Sequence, residues 1–266
     1  PTLVLHGCVL KFASVMGSGA HLRGVIRTSN GGQLSFVGFN LVGTPVGNFL
    51  LDDANTNTKI MMLGKLKENE YNLSMEQENS IQEKFKLENK PYIFFLSTIE
   101  PRKNVETLIK AYEYIRKKEV DVKLVLAGGL GWKYKTVLDL IEKSEYKDSI
   151  IMPGYISKEE KDYLFKNAEC FVYPSLYEGF GLPILEAMIN KQLVITADNS
   201  SLPEVGGQAA FYYMETLNFE NLGEKIIAVI NLSDEKKKEK IEQGLEQAKK
   251  FTWEKCAKET LKIIGG

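Results

Sequence analysis

The chain has 266 residues, a length that suits one or two domains, and its hydrophobic fraction of 44% is enough for a sizeable core. Its 34 basic and 35 acidic side chains leave a formal charge of −1, which argues against a nucleic-acid partner, because dedicated binders carry a basic excess. Cys8, Cys170 and Cys256 lie far apart without metal-ligand spacing, and His6 and His21 are the only histidines, so no disulfide framework, metal site or bound cofactor is indicated. No apolar run reaches the length of a membrane span, and no charged segment leads into an apolar stretch at the start. A cytoplasmic location is therefore the expectation.

Composition changes sharply near residue 58. Between Phe12 and Thr58 there is neither Lys nor Glu, and both become common from Lys59 onward. The early stretch is rich in Gly, Asn, Ser and Thr. Two readings stay open: a Gly-rich loop and hairpin region of a genuine domain, or a segment of different origin such as a misframed stretch. Its Gly17-Ser18-Gly19 run has Leu22 where a dinucleotide fingerprint needs its third glycine, so it is a weak nucleotide site.

From Pro91 onward the pattern is regular. Apolar, β-favouring runs at Tyr92–Ile99, Val122–Ala127, Ser149–Met152, Cys170–Tyr173 and Leu193–Thr196 alternate with segments of helical period. In Asn104–Lys118 the spacing puts Val105, Leu108, Ile109, Tyr112 and Ile115 on one face. Lys133–Lys143 and Ser157–Ala168 read as helices, followed by two late helices over about Phe219–Asn231 and Asp234–Lys250. Strands alternating with helices predict an α/β fold, a Rossmann-like parallel sheet with helices on both faces. Short apolar strands without clean alternation suit a sheet covered on both sides.

In such a sheet, ligands bind at the carboxyl ends of the strands, and three polar segments fall there. Glu100-Pro101-Arg102-Lys103-Asn104 follows the first strand, with Asn104 as a candidate N-cap of the next helix. Arg102 and Lys103 beside a helix N-terminus would form a doubly cationic phosphate clamp; alone, they read equally as a basic pair on a surface loop. Gly128 and Gly129 follow the second strand, where they either let a ligand approach the backbone or make a tight turn. The third segment runs from Glu178 through Gly179, Phe180, Gly181, Leu182 and Pro183 to Glu186. Pro183 suits the first turn of a helix. The two glycines leave backbone N–H groups open to an anion, and both carboxylates can accept hydroxyl hydrogen bonds from sugar or ribose. A glycosidase-like acid/base pair is the competing reading, disfavoured by a neighbouring cationic clamp that expects phosphate.

Glu178 and Glu186 have seven residues between them. This resembles the E-x7-E signature of retaining GT-B glycosyltransferases, chiefly glycosyltransferase family 4. The segments Thr98–Asn104, Leu124–Gly129, Pro153–Ile156, Tyr173–Met188 and Ser200–Gly206 follow the order of that family's C-terminal domain, and Lys59–Tyr71 resembles its interdomain connector. The resemblance implies a nucleotide-sugar donor domain over 91–266, a connector over 59–90, and in 1–58 a remnant of the acceptor-side domain or a foreign segment. It implies metal-independent transfer of a hexose-type sugar from a UDP- or GDP-sugar to a glycan or lipid-linked acceptor, with retention. Arg102 and Lys103 would bind the diphosphate, Glu178 the sugar hydroxyls and Glu186 the ribose. Backbone of Phe180–Leu182 would contact phosphate or sugar. Gly154, Tyr155 and Ile156 would lie near the base, and Gly128 and Gly129 would line the cleft. His6, at the end of Pro1–Gly7, would lie near the reacting sugar. Many relatives carry a further Arg where this chain has Leu96–Thr98, so here the clamp rests on Arg102 and Lys103. A shortened acceptor side further implies a partner chain or missing domain, and a module that binds donor without transferring sugar is the alternative. Peripheral membrane contact stays open.

Overall fold

A computed structural model of the chain describes residues 73–252 together with six short strands before them, and Lys255 and Lys258 beyond. The chain divides into two compact units, Pro1–Lys65 with Phe251–Gly266, and Leu66–Lys250. In the first unit, β1 (Thr2–Leu5) and β2 (Cys8–Lys11) form an antiparallel pair. β3 (Val25–Ile26) runs parallel to β5 (Leu50–Leu51), and β4 (Ser35–Val37) to β6 (Lys59–Met61). His6 and the Gly17-Ser18-Gly19 run lie outside the described residues.

The second unit opens with α1 (Met75–Lys84), capped by Ser74 and Gln77 in a reciprocal capping box. Ile81, Phe85 and Leu87 are buried, and Lys84 reaches Glu160 at 2.5 Å. The segment from residue 75 therefore packs as part of this unit, within the stretch 59–90 that the resemblance implies is a connector. Six strands follow: β7 (Tyr92–Leu96), β8 (Lys123–Ala127), β9 (Ile150–Gly154), β10 (Cys170–Tyr173), β11 (Val194–Ala197) and β12 (Phe211–Tyr213). They form one parallel sheet in the order β12-β11-β10-β7-β8-β9. This is the doubly wound order, with its reversal between β7 and β10. β12 has only three residues after a Gly-Gly pair, too short to register as a periodic run.

The linking helices are α2 (Val105–Lys117), α3 (Lys135–Lys143), α4 (Lys158–Asn167), α5 (Leu182–Ile189), α6 (Leu202–Gly206), α7 (Phe219–Ile230) and α8 (Asp234–Lys249). α2 buries Val105, Leu108, Ile109, Tyr112 and Ile115, the face read from the periodicity. α4 begins with a capping box: the Ser157 hydroxyl accepts the Glu160 N–H at 3.2 Å, and the Glu160 carboxylate accepts the Ser157 N–H at 2.8 Å. Asn104 departs from its expected capping role. It sits at the N-cap with φ 56°, in the left-handed region, and its side chain makes no cap hydrogen bond. No helix among the described residues is long and apolar enough to cross a membrane.

Central strands are buried on both faces, as their uninterrupted apolar runs require: every residue of β8 and β10 is buried. Phe94, Phe165 and Phe171 form the aromatic centre, with Phe165 centred 5.0 Å from Phe94 and 5.1 Å from Phe171. All three are fully inaccessible to solvent. Replacing Phe94 by Ala removes a ring that its neighbours cannot collapse around. We expect Phe94→Ala to lose about 3–5 kcal/mol of unfolding free energy in a denaturant titration; a loss below about 1 kcal/mol would place the core elsewhere.

Candidate functional site

The chain leaves β7 toward β8 on one side of the sheet and leaves β10 toward β11 on the other. Between these strands the following loops diverge and open a crevice at the carboxyl ends. Loop 97–104 follows β7, and loop 174–181 follows β10. They are joined directly. The Leu176 N–H donates to the Arg102 carbonyl at 2.8 Å, Arg102 Nη1 donates to the Tyr177 carbonyl at 3.0 Å, and Asn104 Nδ2 donates to the Pro174 carbonyl at 3.1 Å. Asn104 is thus a strut between loops: its amide also donates to the Thr216 carbonyl at 2.6 Å, and its Oδ1 accepts the Thr107 hydroxyl at 2.7 Å.

Pro101–Lys103 forms a 3-10 turn that aims Arg102 and Lys103 at Glu178. Arg102 Nη1 lies 2.9 Å from Glu178 Oε2, and Lys103 Nζ lies 2.5 Å from Glu178 Oε1. Glu178 Oε1 also accepts the Tyr173 hydroxyl at 2.8 Å and the Ser175 hydroxyl at 2.7 Å. Lys103 Nζ donates to Tyr173 Oη at 2.6 Å, and Arg102 Nη2 pairs with Glu100 at 2.8 Å. A third loop, after β11, props the second. The Glu178 N–H donates to Ser200 Oγ at 3.1 Å, Asn199 Nδ2 donates to the Ser175 carbonyl at 3.2 Å, and the Ser201 hydroxyl lies 2.7 Å from the Phe180 carbonyl.

Burial sets the electrostatics. Side-chain exposure is 8% for Lys103 and 10% for Glu178, but 31% for Arg102. Burial by itself would raise the Glu178 carboxyl; the charge and hydrogen bond of Lys103, with Ser175 and Arg102, outweigh it and hold the group below the usual carboxylate range. Lys103 moves down as well: burial is its largest influence, and the attraction of Glu178 only partly offsets it. Arg102 is pulled down by burial and raised further by Glu178 and Glu100. We read the cluster as ionised, because an ammonium and two hydroxyls face Glu178 Oε1 and a guanidinium faces Oε2, which leaves no acceptor beside either oxygen for a carboxyl proton. Burial, followed by the Glu178 charge, pushes Tyr173 far upward, so its phenol stays protonated and donates.

The other predicted residues are placed as follows. Gly128 has φ +131°, and a Cβ there would lie 1.9 Å from the Ser97 carbonyl, so the close approach of the two strand ends demands glycine. A Cβ on Gly129 would strike the Tyr155 ring at 2.4 Å. Tyr155 lies over Gly129 and is 88% exposed, Ile156 is half-buried, and Gly154 has φ +73° with open space beside it. Gly179 is exposed with nothing near its would-be Cβ; Gly181 heads α5 with φ +109°. Phe180 is half-buried and Leu182 exposed. Glu186, on α5, takes a different partner from Glu178: Lys161 of α4, at 3.5 Å. Arg102, Lys103 and Glu178 are therefore brought together, while Glu186 pairs outside their cluster. The sequence reading gave no role to Tyr173 or Ser175; the available signal was a strand-ending Tyr and a Ser three residues before the glutamate.

One consequence is measurable without any ligand. Glu178→Gln strands the Lys103 ammonium in a buried site, and we expect a loss of about 3 kcal/mol at neutral pH. In the wild type the folded carboxyl titrates lower than the unfolded one, so between those values the unfolded chain binds more protons and stability falls as pH drops through and below the carboxylate range. Denaturant titrations from pH 7 to pH 3 should show this part of the acid sensitivity missing in Glu178→Gln. Identical pH dependence in both proteins would dissociate Glu178 from the stability of the cluster.

Comparison with known proteins agrees with this architecture. The family model described as "Glycosyl transferases group 1" matches residues 76–247. The chain is 36% identical over 183 residues to the O-antigen chain mannosyltransferase B of Escherichia coli, covering 68% of this chain and 47% of that protein. It therefore spans about half the length of this curated relative. Among solved structures, a glycosyltransferase from Rickettsia africae superposes with a TM-score of 0.68 at 21% identity, over 80% of this chain and 57% of the other. Alr3699/HepE from Anabaena, in complex with UDP and glucose, gives 0.65 at 19% identity, over 79% and 57%. The fold is the Rossmann-like α/β architecture of GT-B glycosyltransferases. With more than half of its length matched by the family model, the chain belongs to the glycosyl transferases group 1 family.

Proposed function

We propose that this chain carries the donor-binding part of a retaining glycosyltransferase of family 4, which moves a hexose from a nucleotide-diphosphate sugar to a glycan or lipid-linked acceptor. The observation that supports it most is the convergence of Arg102, Lys103 and Glu178 at the switch point between β7 and β10. Two cations suit the developing charge of a leaving diphosphate, the work a metal ion does elsewhere. A carboxylate beside them suits the hydroxyls of the transferred sugar. Gly128 and Gly129 would line the cleft, with Gly154, Tyr155 and Ile156 beside the base. Backbone at Gly179, Phe180, Gly181 and Leu182 would face phosphate or sugar. In this reading Glu186 exchanges Lys161 for the ribose, and His6 serves the reacting sugar from the acceptor side.

The similarity to a mannosyltransferase makes a mannosyl donor the first to test. UDP in the Anabaena complex makes UDP the first nucleotide. A second reading is favoured by the 47% of the relative that this chain spans: a donor-binding module that transfers sugar only together with an acceptor domain or partner chain. Lipid-linked acceptors would bring the assembly to a membrane surface.

Calorimetric titration with UDP and GDP tests both readings at once. We expect one of the two to bind with a dissociation constant below about 1 mM, and no heat from either at millimolar concentration would remove the donor site. In any preparation that transfers sugar, Glu178→Ala should abolish transfer while the circular dichroism spectrum is retained. Unchanged activity would take Glu178 out of the mechanism.

A further inference from the structure

The two oxygens of Glu178 are held in different ways. Oε1 accepts Lys103 Nζ, Tyr173 Oη and Ser175 Oγ, from residues that are 6%, 1% and 0% exposed. Oε2 is paired with Arg102, whose side chain is 31% exposed. A carboxylate offers about two acceptor sites per oxygen. Oε1 is therefore saturated by buried groups, whereas among the described residues Oε2 pairs with one cation at the edge of the crevice.

The cluster is also electrically balanced. Arg102 and Lys103 face Glu100 and Glu178, two cations against two carboxylates. In this arrangement an arriving diphosphate meets no net positive charge. One cation must turn from its carboxylate to receive it, and burial decides which. Lys103 has its ammonium between Tyr173 and Glu178 at a buried position, and moving it would leave Oε1 with two hydroxyls and no counter-charge. Arg102 sits nearer solvent, and its guanidinium offers five N–H donors in a fork that matches phosphate.

Resting on the donor-binding reading above, we propose that Arg102 is an exchangeable partner of Glu178: a bound diphosphate draws Arg102 away and frees Oε2 to accept a sugar hydroxyl. Lys103, Tyr173 and Ser175 keep Oε1 anchored throughout, so Glu178 does not swing out of the site when its outer oxygen changes partner. Arg102 and Oε2 thereby couple two parts of one donor. The diphosphate opens the acceptor atom that the sugar needs, and the sugar hydroxyl fills the position that Arg102 vacates. Such coupling is reciprocal by thermodynamic necessity.

The test uses the full chain, the nucleoside diphosphate (UDP or GDP) that binds it, and free mannose and glucose as separate probes. Sugar affinity is measured by ligand-observed NMR with and without saturating nucleotide. In the wild type, nucleotide should raise the affinity for one of the two sugars by about fivefold or more. Arg102→Gln should bind nucleotide about tenfold more weakly and show no rise in sugar affinity. Glu178→Gln should bind nucleotide more tightly than wild type, because Lys103 then faces no carboxylate and Arg102 keeps only Glu100, and again show no rise. Thermal unfolding confirms that each variant is folded. Tighter nucleotide binding after loss of a charged site residue is not a result that general structural damage produces. If neither UDP nor GDP binds the wild type, the donor-binding reading fails and the exchange fails with it. If nucleotide binds but sugar affinity does not change, or Glu178→Gln binds nucleotide no more tightly than wild type, the exchange alone is overturned.

Discussion

A lysine ammonium held beside an arginine, largely out of water, is tolerable only with a carboxylate against it, and that requirement organises the carboxyl end of this sheet. Lys103 needs Glu178, and Glu178 needs its donors. To bring them within 3 Å, loops after two strands far apart in the chain are stitched through Arg102, Asn104, Leu176 and Tyr177, and a third loop props the second through Ser200 and Ser201. Even the left-handed backbone of Asn104 serves this: it turns the chain from the 3-10 turn into α2 while its amide bridges to Pro174 and Thr216. A strained conformation is kept where several hydrogen bonds over-determine it.

The glycines beside the cluster follow from the same crowding. Segments 97–99 and 128–131 bond to each other through Ile99, Gly129 and Gly131. At Gly128 the neighbouring carbonyl lies where any side chain would begin, so the close approach of these strand ends, rather than a ligand, explains that residue. Gly179 is different. Among the described residues nothing lies within 4 Å of where its Cβ would be, so packing does not explain that glycine.

Two glutamates that look like a matched pair in the sequence are unlike in the structure. The Glu178 side chain is 10% exposed in a loop and bonded to four side chains, whereas that of Glu186 is 28% exposed on a helix and, among the described residues, faces one lysine at 3.5 Å. Different surroundings hold one residue type in two ways. A carboxylate locked among cations and hydroxyls is fixed in place, whereas one that faces a lysine at 3.5 Å is held weakly.

By itself the sequence determined the layering of the sheet, because continuous apolar runs of four or five residues between helical periods admit few other arrangements; Cys170–Tyr173 and the buried face of α2 appear as the spacing implies. It also placed Arg102, Lys103 and Glu178 at the sheet's carboxyl edge, because charged and Gly-rich segments directly after strands have to lie there. It left α1 and β12 unread: α1 is polar apart from exposed Met75 and buried Ile81, and β12 is three residues long. Only the tertiary structure decided that the two cations rest on the glutamate rather than waiting free, and that Tyr173 and Ser175 complete its shell. Those contacts join positions up to 76 residues apart. Local periodicity carries no information about which partner a buried charge will find; the order of strands in the sheet does.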